Sequence, residues 1–333
     1  MKTFGLAVGV LAVGLVLAVL FGSDGVALSD ALLDRGHARA ILFEVRLPTA
    51  LLAAIAGAGL AASGVAFQAL LRNPLAEPYV LGVSGGAALG ATTVIALGLG
   101  VTTSLGAALT PLAAFGGGLL ATTLVYFVAR RSRPGSAGAT MLLAGVMVNS
   151  LAAALITMGK VLVPPARAKD MLRWLVGFVE LPTPRALALT TVYVGVGIAV
   201  LVREAGTLNL LALGDETAAS LGVDVPRLER RVLMATSLAV GAIVSVTGLI
   251  GFIGLVVPHA LRRFCGPDHR RLLPLSCVVG AAMLVFCDLA SRLAFGWFDT
   301  KLPVGAVTAL VGAPLFLRLL MKTPPRDGSA SPS

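Results

Sequence analysis

Apolar runs of about 20 residues, separated by short polar interruptions, recur along almost the whole chain. They predict helices near 4–22, 47–70, 79–98, 107–129, 138–159, 186–202, 231–251, 256–265, 272–294 and 303–321, ten in all, with the eighth unusually short. The runs lack the period-two alternation of barrel strands. Because backbone amides cannot stay unpaired in hydrocarbon, helices are the spanning element that remains. The expected fold class is an all-α membrane protein of about ten transmembrane helices. A single membrane domain is expected over 1–322, and a polar, Pro- and Ser-rich tail at 323–333 is expected to be disordered. After Lys2 the first apolar run extends for about 19 residues, longer than the roughly 7–15 of a signal-peptide core, so a retained first helix is expected.

Composition sharpens this picture. The chain is 57% hydrophobic and 13% charged, with a mean hydropathy of +0.94, so its solvent is lipid. Only 5% of residues are aromatic while glycine numbers 39, a small-residue composition that lets helices approach closely in a bilayer. The net charge of +10 is spread over short loops rather than gathered on one soluble face, which argues against nucleic acid as a partner. Most basic residues, among them Arg72, Arg130, Arg203, Arg231, Arg262 and Arg270, fall on one side if both termini are cytoplasmic, as the positive-inside rule favours.

Shifting the chain by 184 positions superposes Gly57 on Gly241, Ala58 on Ala242, Ser63 on Thr247, Gly64 on Gly248 and Pro74 on Pro258. The second predicted helix runs inward and the seventh outward, so related halves would form an inverted repeat, a transporter arrangement. Chemistry of other kinds finds little support. No G-x-x-x-x-G-K-[ST] phosphate loop occurs, since Gly159 and Lys160 are followed by Val161 without the upstream glycine, and H-E-x-x-H is absent. Cys265, Cys277 and Cys287 form no C-x-x-C pair, and His37, His259 and His269 are too scattered for a metal triad. An ion-driven carrier would call for ionisable residues at the helix centres, and Asp288 lies nearest to one.

The longest polar interruption, REAGTLNLLALGDETAASLGVDVPRLERR at 203–231, carries helix-start signals at Asp215 and Glu216. Two short helices separated by Gly222 are expected. Leu213, Ala218 and Leu221 would anchor them in a groove of a soluble partner; an ordinary connecting loop is the alternative, and the residues alone leave both open.

RLPTALLAAIAGAGLAASGVAFQALLRNPLAEPYVLGVSGGAALG, from 46 to 90, resembles the signature of the FecCD family of importer permeases, in which R-x-P, S-G-x-x-x-Q, R-N-P-L-A-x-P and L-G-x-S-x-G-A recur. LALGDETAASLGV at 211–223 resembles that family's coupling loop, and the blocks at 248–276 and 302–316 are similar to its C-terminal half, so nearly the whole chain is covered in order. The resemblance implies a type II ABC importer permease, not itself an enzyme, in a bacterial inner membrane. It would be a homodimer surrounded by lipid. Its partners would be a cytoplasmic ATP-binding subunit, which holds ATP and Mg, and a periplasmic substrate-binding protein delivering an iron-siderophore, haem or cobalamin. No cofactor or metal is expected on this chain.

Residue by residue, the resemblance places the coupling loop at 206–230, with Leu213, Gly214, Asp215, Glu216, Ala218, Leu221 and Gly222 at the ATPase. Arg46 and Arg292 match basic positions that face acidic residues of the binding protein in a member of this family, with snorkelling as the other role open to them. Asp288, four residues before Arg292, also allows an intrahelical ion pair. Thr49 stands where the family usually has a second arginine. Gln68, Ser84 and Asn149 are the candidate pathway residues, because a bulky polar ligand needs a lumen with few hydrogen-bonding groups; helix packing is their alternative role.

Overall fold

The computed structural model describes residues 2–22, 38–99, 104–131, 137–295 and 300–321. Among them the chain is helical: α1 (Lys2–Leu20), α2 (Leu47–Leu70), α3 (Val83–Leu97), α4 (Ser104–Arg130), α5 (Ala137–Leu162), α6 (Pro165–Val176), α7 (Pro184–Arg203), α8 (Ala205–Leu211), α9 (Asp215–Ser220), α10 (Val225–Thr247), α11 (Ile253–Cys265), α12 (His269–Leu293) and α13 (Val304–Met321). A π-helical turn, Ile41–Arg46, leads into α2, and a 3-10 turn, Pro78–Leu81, precedes α3. Among the described residues seven helices are long and apolar enough to cross a membrane, and α3 and α13 are apolar but shorter. All ten predicted spans fall on helices. The eighth, α11, has only 13 residues.

Three features depart from the hydropathy pattern. α6 was not expected, because its sequence PARAKDMLRWLV is too polar to register as a span. α10 begins at Val225 rather than near 231: Asp224 accepts a hydrogen bond from Arg227 N at 3.0 Å, and this N-cap makes the polar stretch up to Arg231 the first turns of the helix. Gly222 does not separate the two short helices of the polar interruption. They are α8 and α9, parted at Leu213 and Gly214, and Gly222 lies beyond α9. The tail at 323–333 and His37 lie outside the described residues.

α2 lies at the centre, buried along most of its length. Its small residues are the reason: a Cβ built on Gly64 would sit 1.9 Å from the carbonyl oxygen of Gly254, so only glycine allows α2 to meet the start of α11 backbone to backbone. α2 packs on α11 and α12, whereas α10 packs on α3 and α4. Each half therefore lends its first helix to the second and third helices of the other. Gly57 accordingly meets Gly280 of α12, and its echo Gly241 meets Phe115 of α4. Four crossings, by α3, α4, α5 and α7, separate the two lead helices, an even number, so α10 runs opposite to α2 and the repeat is inverted.

Both halves are broken after their first helix, at 71–82 and at 248–252, and the breaks contain two non-glycine residues with positive φ, Arg72 (46°) and Phe252 (70°). Irregular backbone at membrane depth needs partners from the protein. Here the first half supplies them to the second. Tyr79 Oη accepts from Ile250 N at 3.0 Å, Glu77 Oε1 accepts from Phe252 N at 2.7 Å, and Gln68 Nε2 donates to the carbonyls of Gly254 and Leu255, each at 3.3 Å.

Candidate coupling and translocation elements

At the inner end, α7 gives way to α8 through Glu204, and α8 to α9 through Gly214, whose φ of 118° with ψ of 154° is a glycine-only conformation that turns the chain sharply into α9. Leu213 and Leu221, 62% and 56% exposed, flank α9 and point away from the bundle, and Glu216 is exposed between them. Ala218 is a correction to the expected contact set: it is 0% exposed and packs inward in a cluster with Leu211 and Leu228. One helical face cannot present both Ala218 and its opposite side to a partner. Gly222, with φ of 86°, is exposed beyond α9, and Gly214 is half-buried.

Three polar links tie this loop to the bundle. Asp215 pairs with Arg72 at the end of α2, and Glu204 pairs with Arg231 on α10. Asn209 of α8 donates from Nδ2 to Asp268 Oδ1 at 2.7 Å, while its Oδ1 accepts from His269 N at 2.9 Å and lies 2.6 Å from His269 Nδ1. The Asn209 bond, then that from Arg270 N, holds the Asp268 carboxyl below the usual aspartate range. A depressed carboxyl stabilises the fold above its unfolded pKa and loses that contribution as pH falls through the folded one, so this link is intact at neutral pH.

At the outer end, neither predicted docking arginine presents its charge to a partner. Arg46 is 2% exposed and donates from Nη1 to the carbonyls of Val19 and Leu20, at 3.2 and 2.8 Å. Arg292 is also buried; its Nη1 donates to Ala18 O at 3.0 Å and its Nε lies 3.0 Å from Asp288 Oδ2. The two guanidinium groups thus converge on the C-terminus of α1, where unpaired carbonyls and the negative end of the helix dipole need donors. Asp288, fully buried, is shared with Lys301 Nζ at 3.6 Å. The intrahelical Asp288–Arg292 ion pair, one of the alternatives open to Arg292, is present. Thr49 is buried and donates back to Val45 O at 2.7 Å, so it faces no partner either. Exposed charges include those on α6 and just beyond it, where Arg173 pairs with Glu180 at 2.7 Å beside a cleft lined by Asp170, Trp174, Phe178 and Thr247.

The three pathway candidates brace broken backbone, the packing role left open to them. Gln68 and Ser84 are buried and Asn149 is half-buried. Gln68 holds the first turn of α11, as above. Ser84 Oγ and Asn149 Nδ2 both donate to Tyr79 O, at 3.0 and 2.8 Å, and Asn149 Oδ1 accepts from Gly85 N at 3.0 Å, so the two together hold the break before α3. Glu77 and Tyr79, missed in the sequence, do the equivalent work across the repeat. A glutamate between two spans is the signal that could have pointed to them. His259 stacks edge-on against Phe316 at 5.3 Å. Among the described residues no group of three or more His, Cys, Asp or Glu is placed to hold a metal ion.

Residues 10–322 match the FecCD transport family. The chain is 41% identical over 283 residues to the cobalamin import system permease protein BtuC of Halobacterium salinarum, covering 85% of this chain and 74% of that protein. It is 36% identical over 288 residues to the hemin transport system permease protein HmuU of Yersinia pestis, covering 85% and 83%. Among solved structures, an inward-facing conformation of a transporter assigned to the metal-chelate ABC type matches with a TM-score of 0.86 at 30% identity, over 96% of this chain and 99% of that one.

Proposed function

The chain belongs to the FecCD transport family, and from that premise we propose that it is the membrane-spanning permease of an ATP-driven importer for cobalamin, haem or an iron-siderophore. It works as a homodimer in a bacterial cytoplasmic membrane. A binding protein delivers substrate at the outer face, and a separate cytoplasmic subunit binds ATP and Mg. The observation that carries this reading is the pair of short helices α8 and α9, which hold Leu213 and Leu221 clear of the bundle with the acidic Glu216 between them. Two large aliphatic side chains exposed on a loop of this size suit insertion into a groove of a soluble partner. The names of the relatives support the substrate class, and all of its members are bulky ligands handed over by a carrier protein.

The inverted repeat and its cross-braced breaks support alternating access by one half rocking on the other. An ion-driven carrier fits less well, because the buried carboxylate Asp288 is already committed to Arg292 and Lys301. The test is to reconstitute the chain with the ATPase encoded beside it and to measure vanadate-sensitive hydrolysis. Wild type is expected to retain the ATPase through purification, and the double variant Leu213→Asp, Leu221→Asp to lose it without losing its helicity. Concentrative uptake by the chain alone in liposomes, without ATP, would overturn the proposal.

A further inference from the structure

We infer that Asn209 is a positioning residue that transmits movement of α8 to α12, and that without it ATP hydrolysis runs uncoupled from transport; the inference rests on the importer reading above. α8 and α9 are covalently continuous only with α7 and α10. A push on them would reach the other helices only through side chains. α2 is reached through Arg72 and Asp215, both substantially solvent-exposed. Leu208 and Leu211 of α8 also pack in one apolar cluster with Leu70 of α2 and with Leu272 and Leu273 of α12, but the polar contact to α12, made through Asn209, is of a different kind. The first N–H groups of any helix lack intrahelical acceptors. Asp268 serves α12 from its own chain by accepting from Arg270 N at 3.0 Å, and Asn209 serves it from α8 by accepting from His269 N at 2.9 Å. The same amide donates to the Asp268 carboxylate at 2.7 Å. One side chain of the coupling segment therefore holds both the cap and the first residue of α12 through bonds of opposite polarity, which fixes position along and across the helix axis. His269 is buried beneath it and adds a third contact. α12 packs along α2, so a displacement entering here reaches the helix that carries the cross-brace to the other half.

The test uses the chain reconstituted with its ATPase and binding protein and reads substrate imported per ATP hydrolysed. Asn209→Ala is expected to keep ATPase association and hydrolysis within about twofold of wild type while uptake per ATP falls about tenfold. Asp268→Ala is expected to behave likewise, whereas Asp268→Asn, which keeps an acceptor oxygen in the same place, retains coupling. A merely structural role would lower hydrolysis and uptake together and leave uptake per ATP unchanged. Unchanged uptake per ATP in Asn209→Ala, or loss with Asp268→Asn equal to that with Asp268→Ala, would overturn the inference. If wild type never associates with the ATPase, the importer reading fails instead. The clip is then judged by amide hydrogen exchange on the chain alone, where unchanged protection over 205–220 in Asn209→Ala counts against it and faster exchange supports it.

Discussion

The two ends of the bundle use charge in opposite ways. At the outer end Arg46, Asp288 and Arg292 are all but removed from solvent and are spent on the fold, closing the C-terminus of α1 and joining it to α2 and α12. At the inner end Arg72 and Asp215 keep 39% and 47% of their side chains exposed, and the segment they help hold is otherwise seated by the apolar packing of Leu208, Leu211 and Ala218. A buried pair is stiff because breaking it strands a charge in a poor solvent, whereas an exposed pair opens and closes at little cost. The outer end is thus built to stay as it is. The inner end is built to be pushed.

The largest effect that tests this contrast is at Asp288. Asp288→Ala leaves Arg292 and Lys301 as buried or half-buried cations without their shared carboxylate. A loss of about 3–5 kcal/mol is expected, seen as a marked fall in the thermal midpoint in detergent or as failure to accumulate in the membrane. The paired change Asp288→Leu with Arg292→Met is expected to recover much of that loss, since it removes the charges together. If the single change is silent, the outer cluster is not structural and the contrast collapses.

Arg46→Met comes next. It takes the donor from the Val19 and Leu20 carbonyls while keeping the length of the side chain. Leaving such acceptors unpaired costs about 1–3 kcal/mol. Capture of the isolated binding protein on immobilised chain is expected to be unchanged among the molecules that fold. Loss of capture with an unshifted thermal midpoint would return Arg46 to a docking role.

How much of this was legible beforehand divides along the same line. Positions and lengths of spans were readable because hydropathy is a property of each helix taken alone, and α2 runs over the range its apolar stretch predicts. The cap that moved the start of α10 to Val225 was present as Asp224 but was outweighed by the polarity of Arg227 to Arg231. Arg46 and Arg292 showed as basic residues at helix ends, the usual sign of a snorkelling or docking side chain. That α1 ends beside both of them is a tertiary fact no local pattern contains. Ala218 failed for a related reason: on a helix of six residues, which face turns inward is set by neighbours such as Leu228, not by periodicity. Gln68, Ser84 and Asn149 were rightly singled out as unusual, but polar groups inside a membrane protein serve broken backbone as readily as a substrate, and the breaks at 71–82 and 248–252 claim these.

The smallest and most informative effect is expected at Arg72, where the backbone and the side chain pull in opposite directions. Its φ of 46° places a side-chain-bearing residue in the left-handed region, at a cost of roughly 1–2 kcal/mol that glycine does not bear. Its ion pair with Asp215 is exposed enough to return only about 0.2–1 kcal/mol. Arg72→Gly therefore loses the pair, relieves the backbone and adds about 0.5–1 kcal/mol of chain entropy to the unfolded state, so the terms nearly cancel. Stability within about 1 kcal/mol of wild type is expected, together with lower uptake per ATP, because the end of α2 is no longer fastened to α9. A destabilisation above about 2 kcal/mol would show that the inner end, like the outer, spends its charges on the fold.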